Sequence, residues 1–261
     1  MTTRTPSDAL LLDAIGNRFV AVAKTPADPR DAARAMCEAH DADGLLAVTV
    51  PERAHAIDVG LWNRDGSDGE MSGNGARCAS LFAQRALGVE PDVHDEIDVR
   101  MPAGSVRVRG RVASDEPRLA VTLGPVTLGR ESRDEHGQRT FEAHTGNPHL
   151  IMLVPSVRAL QETDVESLGA HAQRGFQQSG GVNAHWVAIE SRTCVRLRTF
   201  ERGVGVTPSC GSGSAAAFAT LRAHGLIDAQ CRVVQAGGAL DVRASRRGFV
   251  EIESPVRIVT R

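Results

Sequence analysis

The side chains best suited to chemistry in this 261-residue chain lie in two four-residue turns, Ser72-Gly73-Asn74-Gly75 and Cys210-Gly211-Ser212-Gly213. The turns stand about half the chain apart, and each opens an alanine-rich stretch that reads as a helix. One places a hydroxyl, the other a thiol, directly before a glycine-rich helix start. Glycines there permit positive φ or the close approach of a ligand, and the first N–H groups of a helix form a seat for an anion. Two such starts converging on one carboxylate would hold it without an arginine and stabilise the charge that builds as the neighbouring carbon loses a proton. A nucleophile-type group on each side of that carbon would take a proton from one face and return one to the other. Cys210, at a helix start, is expected to have a lowered thiol pKa. A dry thiolate opposed by an acid suits the removal of an amino-acid α-proton.

The surrounding elements must hold these turns in place. Short β-type runs dominate, at 19–23, 45–50, 56–62, 97–101, 106–112, 119–123, 150–154, 183–189, 194–200, 233–235, 240–243 and 249–252. Several alternate apolar and polar residues, which predicts half-buried strands in largely antiparallel or mixed sheets. Asp28-Pro29 is an N-cap and N1 pair for a helix to about Ala39. Helices follow each turn, from Gly73 to about Leu87 and from Gly211 to about His224, with a weaker helical stretch at 156–161. The halves also echo each other in order. Gly16-Asn17-Arg18-Phe19-Val20 pairs with Gly146-Asn147-Pro148-His149-Leu150, and Asn63-Arg64 with Glu201-Arg202. Downstream, Pro102-Ala103-Gly104-Ser105-Val106 pairs with Ala236-Gly237-Gly238-Ala239-Leu240. A near-constant offset predicts an internal duplication with its boundary near residues 113–118.

Composition narrows the function classes. Apolar content of 41% and charged content of 24% are ordinary for a globular protein. A net charge of −2 gives no reason to expect a nucleic-acid partner, and 3% aromatics without tyrosine rule against a base-stacking platform. Residues 1–8 are polar, unlike a signal peptide, and no later apolar run would span a membrane. Five scattered cysteines, Cys37, Cys78, Cys194, Cys210 and Cys231, form neither a disulfide framework nor a zinc pattern. The expectation is a soluble cytoplasmic protein acting on a small molecule, with no metal, nucleic-acid or membrane partner.

Other readings of the turns exist. Gly211-Ser212-Gly213-Ser214-Ala215-Ala216 fits the dinucleotide fingerprint G-x-G-x-x-A, but 202–209 before it is no buried strand and no parallel strand–turn–helix unit surrounds it. Ser, Asn and Gly are also ordinary helix caps, and a lone cysteine is often core filler.

With their neighbours, the turns resemble the diaminopimelate epimerase family, whose hallmark is a pair of Cys-Gly-x-Gly turns in two mirrored domains. Gly16-Asn17-Arg18-Phe19 is similar to its Gly-Asn-Asp-Phe, Asp41-Ala42-Asp43-Gly44-Leu45-Leu46 to its Gly-Ala-Asp-Gly-Leu-Leu, and Asn63-Arg64-Asp65-Gly66-Ser67 to its Asn-x-Asp-Gly-Ser. Gly146-Asn147-Pro148-His149, Val182-Asn183 and Glu201-Arg202-Gly203-Val204-Gly205 resemble three more signatures in order. The resemblance implies an α/β (α+β) fold of two pseudo-symmetric domains, each a mixed or antiparallel sheet or barrel around a central helix, with the active site in the cleft between them. The domains would be 1–115 and 116–261, with a last strand at about 254–261 able to return to the first. It implies cofactor-independent interconversion of LL- and meso-diaminopimelate for lysine and peptidoglycan precursors, in a homodimer.

The implied catalytic residues are Cys210, Ser72, Glu201 and His149. Asn63, Asn147, Asn183 and Arg202 would hold the distal amino-acid end, Arg202 by a bidentate fork. Asn17 would line the site, and Gly73, Asn74, Gly211 and Ser212 would bind the carboxylate. Glu201 would accept from the distal ammonium or orient the Cys210 side, and His149 would support the opposite position.

The chain departs from the pattern at Ser72, where the family has a second cysteine. Cys78 starts neither helix nor turn and cannot replace it. A serine hydroxyl would have to become an alkoxide to act as base, but as a proton donor to a carbanion it serves better. Three accounts stand: a working natural variant, as with mixed pairs among proline racemases and hydroxyproline epimerases; an engineered Cys→Ser change; or a paralogue with altered activity. The alternatives in function are a racemase or isomerase of another amino acid, a cysteine-independent relative like those of phenazine pathways, and a non-catalytic amino-acid-binding module.

Overall fold

A computed structural model describes residues 9–52, 55–114, 116–133, 137–246 and 248–259. Residues 1–8 and Asp115, at the expected domain boundary, lie outside the described residues. The chain divides into two compact units, Met1–Val121 with Glu253–Arg261, and Thr122–Ile252.

The first unit begins with β1 (Ala9–Ala14) and β2 (Asn17–Val22), then α1 (Pro29–His40), β3 (Gly44–Thr49), β4 (Ala56–Asn63), α2 (Gly73–Ala86), β5 (Glu96–Met101), β6 (Gly104–Arg109) and β7 (Arg118–Leu123). Neighbouring strands pair antiparallel, parallel, antiparallel, parallel and antiparallel from β1 to β6. The two parallel steps are the crossovers that carry α1 and α2. Asp28 caps α1 by accepting from the Asp31 amide at 3.0 Å, with Pro29 in the first turn.

The second unit runs through β8 (Thr127–Arg133), β9 (Arg139–His144), β10 (Pro148–Leu153), α3 (Val157–Glu162), α4 (Val165–Gly175), β11 (Asn183–Ser191), β12 (Cys194–Glu201), β13 (Gly205–Thr207), α5 (Gly211–Ala223), β14 (Gln230–Gln235), β15 (Gly238–Ala244) and β16 (Val250–Pro255). The short β17 (Arg257–Ile258) pairs with β1. From β9 through β10, β11, β12 and β14 to β15 the pairing repeats the same alternation, with α3 and α4 in the first parallel crossover and α5 in the second. Mixed parallel and antiparallel pairing in the same sequence in both units, with helices in the parallel crossovers, establishes the α/β fold class.

Burial follows from this layout. The apolar run of β3 is buried because α1 lies on one side and α2 on the other. In the second unit β11 stands in the same position, touched by α3 and α4 and by α5. Helix α2 contacts each of β1 to β6, and residues 74–83 are buried on every side. Helix α5 is buried in the same manner against β9, β10, β11 and β15. Most residues of such a helix are apolar or small, and Ala76, Ala79, Ala215, Ala216 and Ala217 let the strands approach closely.

The sequence reading differs from the structure in several elements. Strand β1, the hairpin β8–β9, the edge pieces β13 and β17 and helix α4 are additional. Strand β8 is exposed along its whole length, so no buried face marks it in the sequence.

Candidate active site

Ser72 and Cys210 occupy the same structural position, the N-caps of the two central helices. Ser72 has φ −143° and ψ 118°, and its Oγ accepts from the Gly75 amide at 3.0 Å. Cys210 has φ −130° and ψ 108°, and its Sγ accepts from the Gly213 amide at 3.3 Å. Each helix therefore begins with one amide capped by the reactive side chain and earlier first-turn donors that lack an intrahelical acceptor. Positive φ is not what the glycines supply: none of Gly73, Gly75, Gly211 and Gly213 has it. Gly75 and Gly213 matter for their size. A Cβ on Gly75 would stand 3.1 Å from Ser72 Cβ, and one on Gly213 would stand 2.2 Å from His185 Cε1.

The Cys210 thiol corrects the sequence expectation. It is buried at 3% exposure and its pKa is raised well above the ordinary value, first by desolvation and next by the Glu201 carboxylate. The Gly213 amide and Ser212 hydroxyl work the other way but do not prevail. A helix start lowers a thiol pKa, but burial away from water raises it, and here burial and a neighbouring carboxylate outweigh the helix. Here Cys210 Sγ lies 3.4 Å from Glu201 Oε2, with the thiol donating to the carboxylate. Thr207 donates to the other oxygen at 2.6 Å and fixes its rotamer. Gln235 anchors the turn from below: its Oε1 accepts from the Cys210 amide at 2.9 Å and its Nε2 donates to Ser214 at 3.1 Å.

Beside this pair lies a polar cluster on β10, β11 and the turn before β10. His149 and Asn183 are register partners across the parallel β10–β11 pairing. Asn183 is buried, donating to the Pro148 carbonyl at 3.1 Å and accepting from the Arg202 amide at 3.0 Å. Asn147 Oδ1 lies 2.9 Å from His149 Nε2 and accepts from Thr145 at 2.9 Å. Burial keeps His149 neutral, its pKa lowered well below the usual value. Arg202 donates to the Gly180 carbonyl at 3.3 Å, at the edge of an open pocket of about 390 Å³ lined by Gln173, Arg174, Gln177, Gly180 and Gly181. None of that pocket's lining is a catalytic candidate.

In the first unit Asn74 donates to Asn17 at 3.3 Å, and Asn17 donates to Asp43 at 2.8 Å. Asn63 ends β4 and bonds within its own turn, to Ser67 at 2.9 Å. The structure thus gathers Cys210, Glu201 and Ser212; Asn147 and His149; Asn183 and Arg202; and Ser72, Gly73, Asn74 and Asn17. Sequence reasoning passed over Arg77, His185, Thr199 and Gln235. His185 was findable, since it stands two residues after Asn183 and so on the same strand face. Arg77 was not, because a helical arginine reads as solvated. It is fully buried, donating to the Gly73 carbonyl, Asn74 Oδ1 and Ser254 Oγ.

Each unit thus holds a mixed set of strands around one helix, capped by a hydroxyl in the first unit and by a thiol in the second. Solved structures agree. A PhzF-family phenazine biosynthesis protein from Bacillus anthracis superposes with TM-score 0.74 at 13% identity, covering 97% of this chain and 96% of that one. A hydroxyproline epimerase from Agrobacterium vitis superposes with TM-score 0.67 at 16% identity, covering 97% and 88%. The sequence profile of diaminopimelate epimerases matches residues 11–129 and 141–257. Diaminopimelate epimerase of Xanthomonas euvesicatoria pv. vesicatoria is 34% identical over 246 residues, 87% of this chain and 85% of the relative. That of Teredinibacter turnerae is 32% identical over 256 residues, 90% and 87%. The chain belongs to the diaminopimelate epimerase family and is an isomerase of the epimerase type.

Proposed function

We propose that this chain interconverts LL- and meso-diaminopimelate by proton transfer at one α-carbon, in lysine and peptidoglycan precursor synthesis, without a cofactor. The observation that carries the reading is the Cys210 thiol at a helix N-cap, donating to a Glu201 carboxylate held by Thr207. Glu201 takes the thiol proton as substrate enters, and the thiolate then removes the α-proton. The C–H electron pair passes into the α-carbon and its carboxylate, whose charge the helix-start amides stabilise. Ser72 delivers a proton to the opposite face; the proton held by Glu201 is then released to water, and water reprotonates the Ser72 oxygen, so that thiol, carboxylate and hydroxyl are all restored. Ser72 Oγ already accepts from Gly75, which leaves the hydroxyl hydrogen as the part available to donate. Arg202 and Asn147 bind the distal amino-acid end, with Asn183 holding the Arg202 backbone. We further propose that the protein works in the cytoplasm as a homodimer.

A chiral chromatographic assay of purified protein with LL-diaminopimelate tests the reading. Appearance of the meso isomer, its loss in Cys210→Ala and its acceleration in Ser72→Cys are the expected results. Absence of meso product from both the unaltered chain and Ser72→Cys would overturn it.

A further inference from the structure

His185 touches His149 from the side away from Asn147. Both imidazoles are buried, His185 at 0% exposure and His149 at 1%. His149 Nδ1 lies 2.8 Å from His185 Nε2, and His185 Nδ1 lies 3.0 Å from Thr199 Oγ1. At the other end His149 Nε2 lies 2.9 Å from Asn147 Oδ1 and 2.8 Å from Thr145 Oγ1.

The direction of every bond in this row follows from donor chemistry. Desolvation lowers both histidine pKa values, that of His185 to about 3, so each ring carries one N–H. An amide oxygen only accepts, so His149 Nε2 is the donor to Asn147. His149 Nδ1 is then a bare acceptor, filled by the His185 Nε2–H. His185 Nδ1 is bare in turn, and the Thr199 hydroxyl fills it. The row runs Thr199 to His185 to His149 to Asn147, with both histidines as Nε2–H tautomers. His185 also has a packing role. Its ring fills the space over Gly213, where a Cβ would stand 2.2 Å from Cε1, and Gly213 is the residue whose amide Cys210 Sγ caps.

We propose that His185 is a positioning residue of the epimerase site. It fixes the tautomer of His149, which holds the Asn147 amide with its carbonyl inward and its amino group toward the distal end of the substrate. Its ring on Gly213 keeps the start of α5 aligned with that loop. The substrate side of this assignment rests on the function proposed above; the tautomer side does not.

The test uses the full chain labelled with ¹⁵N-histidine. Long-range ¹H–¹⁵N spectra are expected to show His149 and His185 neutral and Nε2-protonated between about pH 6 and 8. An Nδ1–H tautomer or an imidazolium at His149 would overturn the proposal. His185→Phe keeps a ring over Gly213 but removes the relay. It is expected to free the His149 tautomer and raise KM for diaminopimelate about tenfold or more, with kcat changed less. His185→Gln, which restores a donor, should recover part of that loss. An unchanged KM and an unchanged His149 spectrum in His185→Phe would contradict the proposal. Should His185→Phe not fold, the unaltered chain and Thr199→Val, expected to perturb the His185 tautomer, decide the matter. Lack of turnover in the unaltered chain strikes the proposed function instead, and the spectra still decide the relay.

Discussion

Ser72 and Cys210 cap their helices with nearly the same backbone angles, yet the groups around them carry opposite charge. Beside Cys210 stands the Glu201 carboxylate, which with burial keeps the thiol protonated. Beneath Ser72 lies the buried Arg77 guanidinium, bonded to the Gly73 carbonyl and the Asn74 amide oxygen. The equivalent place in α5, five residues after the cap, is Ala215. Among the described residues Arg77 forms no ion pair, so its charge adds to the positive end of α2. The duplicated fold repeats the cap and not the electrostatics. In the function proposed above, one start accepts and returns a proton, while the other holds negative charge beside a weak donor.

Substitutions that remove one side of this contrast sharpen it. The largest effect is expected from Cys210→Ala, with kcat for epimerisation down about 10²–10⁴-fold while circular dichroism stays unchanged. An activity within a few-fold of the unaltered chain would break the assignment of the proton-transfer role to this start. Next come the two glycines. Gly213→Ala drives a Cβ into the His185 ring and is expected to cost about 1–3 kcal/mol in urea denaturation. Gly75→Ala meets its nearest neighbour at 3.1 Å, in the Ser72 side chain, and should cost less. Equal losses would mean that the two turns are packed alike after all. Ser72→Ala removes the bond to the Gly75 amide, a loss of about 1 kcal/mol of stability by the same measurement.

The smallest effect is one of pH. Because the Cys210 pKa is raised, its capture by iodoacetamide in the native chain should climb only above the ordinary thiol value of 9.0. Glu201→Gln removes a charge that opposes the thiolate, so the climb moves to lower pH. A move in the other direction would mean that Glu201 stabilises the thiolate rather than the thiol.

The sequence was most legible where local chemistry and periodicity agree. Asp28-Pro29, Ser72 and Cys210 start helices by the capping rules, and strands such as β5 alternate buried and half-buried residues as their composition requires. Strand β8 was illegible because all of it is solvated, and α4 because its stripe of buried residues is short, Val165 and Gly169. In the site, Glu201 and His149 were named from a family resemblance, but the sign of the Cys210 shift was not readable. It depends first on the burial of the thiol and next on a carboxylate nine residues away in sequence, brought to the thiol by the β12–β13 turn. Arg77 and His185 were missed for a related reason: residue type alone does not say that a cation or an imidazole is fully buried.

The central claim, that a thiol and a hydroxyl divide one proton transfer, is tested most directly in D₂O. LL-diaminopimelate is incubated with the unaltered chain, Ser72→Cys and Cys210→Ala, and deuterium at the α-carbon is followed together with meso product. The account predicts deuterium entry and meso product with the unaltered chain, faster meso formation with Ser72→Cys, and neither with Cys210→Ala. Deuterium entry that persists undiminished in Cys210→Ala would contradict it.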